Sequence, residues 1–328
     1  MPEIKTIEQM LKDGAVKKGN DPSLVVEWLS TGIAKLDELL GGGVPLGRCL
    51  ESYGPESTGK TLISQYIAAA VQQSPRPGVL YMDMENSFDE EWWQISGVDT
   101  EKLLVSKPTT GEAAIDIIRG ALAGAEVSKL GLIILDSIAA MTPAPEMDPK
   151  RSAEDKSMGL QAKLVTLMYR SIVPLLDSSK VIFLATNQMR DSIGPYPDEI
   201  GALVGGRAQR HYSLIMIKTR RESWIKEGDN RIGFYMEITS RKNKLSSVPD
   251  GTTITLPFLF NSQIDMLTAD LEDAVKKQII TRRGPYYYYN GSNLLGMPNL
   301  RNHFMNNEAE LASLRFALER RAENATQE

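Results

Sequence analysis

Apolar positions along the chain fall into two rhythms. Short, nearly continuous apolar runs, VLYMD (79–83), LGLIILD (130–136), KVIFLATN (180–187) and SLIMIK (213–218), match strands buried on both faces. Between them, residues 62–73, 111–125 and 157–176 carry apolar side chains at helical spacing, which predicts helices with one buried stripe. Strands alternating with helices predict an α/β fold, a mostly parallel central sheet flanked by helices. RIGFYMEIT and TTITLPFLF follow in close succession and are expected to add antiparallel strands at one sheet edge.

After about Asp265 the rhythm changes to a helix in LTADLEDAVKKQ, a tyrosine run, and a charged amphipathic helix over 307–322. These predict a small C-terminal α+β domain over 265–328, behind a core of 25–264 and a short N-terminal segment, 1–24. In PYYYYNGS (285–292) successive tyrosines point to opposite faces, and Asn290-Gly291 fits a two-residue hairpin turn. No internal repeat or low-complexity tract interrupts the pattern.

Composition narrows the classes. At 328 residues and 42% hydrophobic, the chain can bury a substantial core. No apolar run approaches the roughly eighteen residues a membrane span needs, and MPEIKTIEQMLKDG is not signal-like, so a cytoplasmic location is expected. One cysteine, Cys49, cannot form an internal disulfide, and with only His211 and His303 beside it there is little material for a zinc site or a Cys/His pair. Chemistry must rest on carboxylates, lysine and Mg²⁺. The net charge of −5 argues against a chain coated in nucleic acid. Yet residues 207–244 hold ten basic against four acidic side chains, either a solvated face or a binding surface.

GPESTGKT, Gly54 to Thr61, fits G-x-x-x-x-G-K-[ST] between an apolar run and a helical stretch. A glycine-bounded loop through Pro55, Glu56, Ser57 and Thr58 can turn backbone N–H groups inward, and the following helix adds its positive end. From Gly59, Lys60 would then reach the β- and γ-phosphates of a nucleotide and Thr61 would hold Mg²⁺. Asp136 ends an apolar run, where a second carboxylate can hold Mg²⁺ through water opposite Thr61. Glu85, two residues past Asp83, is either an acid in a strand-to-helix turn or the group that orients an attacking water. Gln188 also follows a strand, where ligands of such sheets collect, and is equally readable as structural.

GPESTGKT, YMDMENSFDEEW, GLIILDSIAAMTP, MGLQAK, NQMR, GGRAQRHYS and KNK, in this order, resemble the bacterial RecA recombinases from about Ser30 to Leu256, and more weakly beyond. The resemblance implies ATP and Mg²⁺ as cofactors. It implies self-assembly into a helical filament on single-stranded DNA with ATP between neighbouring subunits, DNA-stimulated hydrolysis, and pairing with duplex DNA during strand exchange. Residue by residue, Glu85 matches the catalytic glutamate, Asp136 the magnesium-linked aspartate and Gln188 a γ-phosphate sensor. Asp89 and Trp92 fall where the family contacts adenine, with Trp93 one place away as an alternative and a helix core as the bland reading of both aromatics. Lys242 and Lys244 match a pair that reaches the neighbour's ATP; without the resemblance they read as a solvated edge.

DNA-binding loops are implied near 143–160 and 190–210. Met158, Gly159, Lys163 and Arg170 match the first loop and its helix; Arg190, Ile193, Gly205, Gly206, Arg207 and Arg210 match the second, with Met158, Ile193 and Val204 as wedges between bases. Arg207 replaces a usual asparagine and His211 a usual aromatic, and the N-terminal segment, shorter than usual, is expected to pack as a helix on an adjacent subunit. Two other functions fit a phosphate loop in this setting. A ring-forming DNA motor of the same superfamily would normally use an arginine finger where KNK stands. A filament scaffold with decayed hydrolysis is disfavoured by intact Lys60, Thr61, Glu85 and Asp136.

Overall fold

The computed structural model describes residues 5–147, 150, 159–189, 203–261 and 263–325. It opens with α1 (Ile7–Lys12), capped reciprocally by Thr6 and Gln9. Next come β1 (Trp28–Leu29), α2 (Ala34–Leu40) and β2 (Val44–Pro45), then β3 (Cys49–Gly54), α3 (Lys60–Gln72), β4 (Gly78–Asp83), α4 (Glu90–Ile95) and β5 (Leu103–Ser106). The chain continues through α5 (Gly111–Ala123), β6 (Leu130–Asp136), α6 (Leu160–Ser179), β7 (Ile182–Gln188), α7 (Ala208–Tyr212) and β8 (Ile215–Glu227). β9 (Asn230–Asn243), β10 (Thr253–Leu259) and β11 (Gln263–Ile264) follow.

Among the described residues nine of these strands form one sheet, ordered β11-β10-β9-β8-β3-β7-β6-β4-β5. From β8 to β5 every pairing is parallel, and from β8 outward through β11 every pairing is antiparallel. The expected mostly parallel sheet with an antiparallel edge is therefore present. Its strands read as continuous apolar runs because successive residues enter opposite layers. Leu132, Ile134, Ile182 and Leu184 join one core, whereas Ile133, Leu135, Phe183 and Ala185 join the other. α2 and α3 cover the first face, α5 and α6 the second.

Two boundaries differ from the sequence pattern for backbone reasons. Lys180 is not in β7; it ends α6 in the left-handed conformation at φ 60°. α6 starts at Leu160, because Gly159 precedes it at φ 82°. In the parallel half, register aligns Gly54 with Gln188 and Asp83 with Asp136, so strand ends carrying polar chemistry share one rim.

The C-terminal region contains α8 (Met266–Lys276), β12 (Thr281–Arg283), β13 (Tyr286–Tyr289), β14 (Ser292–Leu295), α9 (Gly296–Met305) and α10 (Glu308–Ala325). Leu271, Ile280, Tyr287, Leu300, Phe304 and Leu314 build a core of their own there. The tyrosines alternate as expected: Tyr287 is buried, while Tyr286 and Tyr288 are exposed. β13 and β14 join through Asn290 and Gly291, both at positive φ, as the tightest hairpins require. No helix among the described residues is long and apolar enough to cross a membrane.

Candidate functional site

The loop between β3 and α3 is held against the antiparallel half of the sheet, which explains its two glycines. A Cβ at Gly54 would lie 2.3 Å from the Thr219 carbonyl oxygen, and one at Gly59, at φ 93°, 2.3 Å from Met236 Sδ. Thr58 Oγ1 and Thr219 Oγ1 share a hydrogen bond of 2.7 Å. Residues 56–62 line a cavity of about 660 Å³ at the N-terminus of α3, a setting suited to polyphosphate. Lys60 Nζ donates to the carbonyls of Gly54 (3.2 Å) and Pro55 (2.6 Å). Partial burial lowers its pKa, against the opposing pull of Asp136 and Glu85.

Asp136 reaches the same cavity from β6. Its Oδ2 accepts from Thr61 Oγ1 (2.8 Å) and Tyr81 OH (3.2 Å), and its Oδ1 accepts from Thr186 Oγ1. Burial raises its pKa, with the Thr186 and Thr61 hydroxyls opposing. A hydroxyl and a carboxylate side by side at a phosphate loop are hard oxygen donors of the kind Mg²⁺ takes alongside nucleotide phosphates. The residues present therefore fit that ion.

Glu85 also lines the cavity. Its Oε1 accepts from Ser137 Oγ (2.5 Å) and Gln188 Nε2 (3.4 Å), so three strand ends converge on one carboxylate. Asp83 plays a different part. It is buried and accepts from the N–H groups of Ser87 and Phe88, shaping the turn that presents Glu85.

The opposite wall is aromatic, made by Trp92, Trp224, Phe234, Phe258 and Phe260, with Arg221 beside them. Of the two adjacent tryptophans, Trp92 lines the cavity and Trp93 packs in the core 4.5 Å from the Tyr81 ring. Asp89 does not line it; its Oδ1 caps α4 by accepting from Trp92 N–H (2.9 Å). The Arg221 guanidinium lies 4.3 Å from the Trp224 ring centre and donates to the Ser57 carbonyl (3.3 Å). Sequence reading missed Arg221, Trp224 and the three phenylalanines. The phenylalanines sit in GFY and PFLF, which read as core, Arg221 reads only as one of the basic run, and nothing local marks Trp224.

Met158, Arg190 and Ile193 lie outside the described residues. Lys163 and Arg170 are exposed on α6, two turns apart on one face. Gly205 and Gly206, at φ 90° and 82°, sit on the start of that helix: a Cβ at Gly206 would lie 2.9 Å from Ala162 Cβ. The glycine pair thus brings Arg207, which is exposed, to the Lys163 end of α6, and α7 carries the exposed Arg210 onward along that helix towards Tyr212, which stacks on Tyr169. Val204 is buried and its carbonyl accepts from Asn187 Nδ2 (3.0 Å), which corrects its expected role as a wedge between bases. A backbone bridge between Met189 and Leu203 closes the same stretch at its base. Not all of the basic run is available for binding: Arg220 forms a two-pronged pair with Glu237 across β8 and β9.

Lys242, on β9, donates to the carbonyls of Arg210 (2.6 Å) and Ser213. Burial, then repulsion from Lys244, lowers its pKa to about 8. Lys244 is exposed one residue past the end of β9. Close by is a residue absent from the sequence reading, Glu51, fully buried on β3. Burial raises its pKa to about 7, with Asn187, Ser213 and Tyr169 opposing. Between about 4.5 and 7 the folded chain keeps a proton that the unfolded chain has released. Stability from this group is therefore present below pH 4.5 and lost as pH rises through 7. Glu51→Gln should accordingly gain on wild type by about 3 kcal/mol between pH 4.5 and 8. Parallel urea curves at both pH values check this, and equal differences at the two would refute it.

The family described as RecA N-terminal domain matches residues 2–265. The chain is 35% identical over 314 residues to Protein RecA of Mycoplasma mobile, covering 94% of this chain and 92% of that one. It is 35% identical to Protein RecA of Mycoplasma mycoides over 87% of this chain and 81% of that one. With Protein RecA of Synechocystis it shares 32% identity over 89% and 80% of the two chains.

Proposed function

This chain belongs to the RecA family, and on that premise we propose that it is an ATP-dependent recombinase. It assembles as a helical filament on single-stranded DNA, hydrolyses ATP in response to that DNA, and exchanges strands with a homologous duplex. The observation that carries this is the convergence of Lys60, Thr61, Asp136 and Glu85 on one cavity, with Gln188 donating to Glu85 from behind it. Residues 54–61 cradle the phosphates, with Lys60 exchanging its loop carbonyls for β- and γ-oxygens. Thr61 and Asp136 would hold Mg²⁺, which offsets phosphate charge when bound. Glu85 orients and deprotonates the attacking water, and Gln188, in contact with it, registers whether the γ-phosphate is there. Trp92 stacks on the base, and Asp89, assigned with it to the adenine site, acts by capping the helix that presents Trp92.

Gly159, Lys163, Arg170, Gly205, Gly206, Arg207 and Arg210, with Met158, Arg190 and Ile193, are assigned to single-stranded DNA. Lys242 and Lys244 are assigned to the neighbouring subunit's ATP, residues 1–24 to subunit packing, and 265–328 to a separate small domain behind the 25–264 core. Backbone phosphates met by arginines make binding tolerant of sequence and weaker with salt.

ATP turnover by the wild type, measured with and without single-stranded DNA over a range of protein concentrations, tests the proposal. DNA should raise turnover more than about tenfold, with a sigmoidal dependence on protein concentration. Turnover indifferent to DNA, or hyperbolic in protein, would remove the filament from the mechanism.

A further inference from the structure

Glu51 interrupts an otherwise apolar or small strand, CLESYG, and its side chain is 0% exposed. Its Oε1 accepts from Asn187 Nδ2 at 3.0 Å, and its Oε2 accepts from Ser213 Oγ at 3.2 Å and Tyr169 OH at 3.4 Å. A carboxylate is a costly way to fill a strand interior, where an apolar residue of similar size avoids the desolvation cost. Packing alone therefore does not account for it.

Two of its partners lead to segments with proposed functions. Asn187 Oδ1 accepts from the Gln188 N–H (2.8 Å), and Asn187 Nδ2 also donates to Val204 O (3.0 Å), beside the glycine pair. Gln209 Nε2 donates to the same Val204 carbonyl. On the other side, the Ser213 carbonyl accepts from Lys242 Nζ, which Arg210 O also accepts. One buried carboxylate thus joins the strand end that contacts Glu85, the turn that carries Gly205 and Gly206, and the anchorage of Lys242. Polar networks of this kind, buried away from water, hold discrete arrangements and tolerate partial satisfaction poorly.

Resting on the roles assigned above to Gln188 and Lys242, we propose that Glu51 is a positioning residue that couples the DNA-facing turn to the nucleotide cavity and to the lysine offered to the neighbouring subunit. It touches neither nucleotide nor DNA. Its two oxygens, accepting from Asn187 on one side and from Ser213 and Tyr169 on the other, fix the donor orientations of Asn187 and Ser213, and through them the placement of Gln188 and Lys242.

Glu51→Gln in the full chain tests this, because the amide keeps the shape and an acceptor for Asn187 while putting a donor where Ser213 and Tyr169 donate. With single-stranded DNA, kcat for ATP should fall about tenfold, as for a typical loss of coupling between sites. KM, and ATP affinity measured without DNA, should stay within about twofold, since no group touching the nucleotide has changed. Ser213→Ala should lower kcat in the same direction, and the double variant should be no slower than Glu51→Gln alone, because both cut one path. A wild type stimulated by DNA beside an equally stimulated Glu51→Gln overturns the role of Glu51 and leaves the recombinase proposal standing. Additive losses in the double variant, or losses in kcat and ATP affinity that track the melting temperature, also overturn it by making Glu51 structural only. A wild type that ignores DNA overturns both.

Discussion

Glu85→Gln should lower DNA-stimulated ATP turnover by about 10² to 10⁴-fold, the range lost when a positioned base is removed. The change is nearly isosteric. A glutamine Oε1 can still accept from Ser137 Oγ, 2.5 Å away in the native chain, and from Gln188 Nε2. Only the capacity to take a proton goes. Nucleotide affinity should stay within about threefold, because the phosphate contacts come from the loop and Lys60 and not from this carboxylate. Single-turnover hydrolysis beside equilibrium binding of a fluorescent ATP analogue separates the two quantities. A variant that hydrolyses at within a few-fold of the wild-type rate would show that the water is activated elsewhere, with Asp136 next to be tried.

Lys242→Ala should be nearly as damaging, about 10²-fold in DNA-stimulated turnover, the scale for losing one charged donor at the transferring phosphoryl group. Its distinguishing result comes from mixing. If Lys242 serves the neighbour's nucleotide, a filament of equal parts Lys242→Ala and Glu85→Gln contains some interfaces in which Glu85 from one subunit meets Lys242 from the other. Random assembly through a head-to-tail contact makes these about a quarter of all interfaces, so about a quarter of wild-type turnover should return. Two inactive preparations that stay inactive when mixed would place the lysine's action within its own subunit. In the isolated chain Lys242 is engaged by the carbonyls of Arg210 and Ser213, so reaching a neighbour means exchanging those acceptors for phosphate oxygens.

The fold was legible wherever burial on two faces wrote continuous apolar runs into the sequence. β6 occupies the run LGLIILD, and β4 begins one residue before VLYMD. β5 left only a three-residue apolar run, LLV, too short to read as a strand. It is the sheet edge, and of its four residues Leu103 is buried while Leu104 is 60% exposed. The phosphate-loop side of the site was legible for a related reason. Its polar groups sit at the ends of apolar runs, and parallel pairing brings those ends together without any knowledge of strand order.

The rest depended on contacts between distant residues. Glu51 meets Tyr169, Asn187 and Ser213 across separations of 118, 136 and 162 residues, and nothing near it in sequence marks it as more than a stray acid. The aromatic wall is equally non-local. Phe234 and Phe258 are partners across β9 and β10, a pairing no periodicity specifies. Val204 misled because a short apolar run between glycines, GALVGG, reads as exposed loop, whereas backbone and side-chain hydrogen bonds draw its end into the protein.

The division of the tryptophans has an optical consequence. Of the four in the chain, Trp92 and Trp224 line the nucleotide cavity, whereas Trp93 is in the core and Trp28 packs half-buried against it. Trp224 also lies beside two guanidiniums, Arg221 at 4.3 Å and Arg231 at 4.5 Å from its ring centre, and indole emission responds to nearby charge and hydration. Ultraviolet fluorescence is thus a native gauge of cavity occupancy, with Trp28 and Trp93 supplying a steady background, and the binding half of the ATP cycle can be followed without attaching a dye.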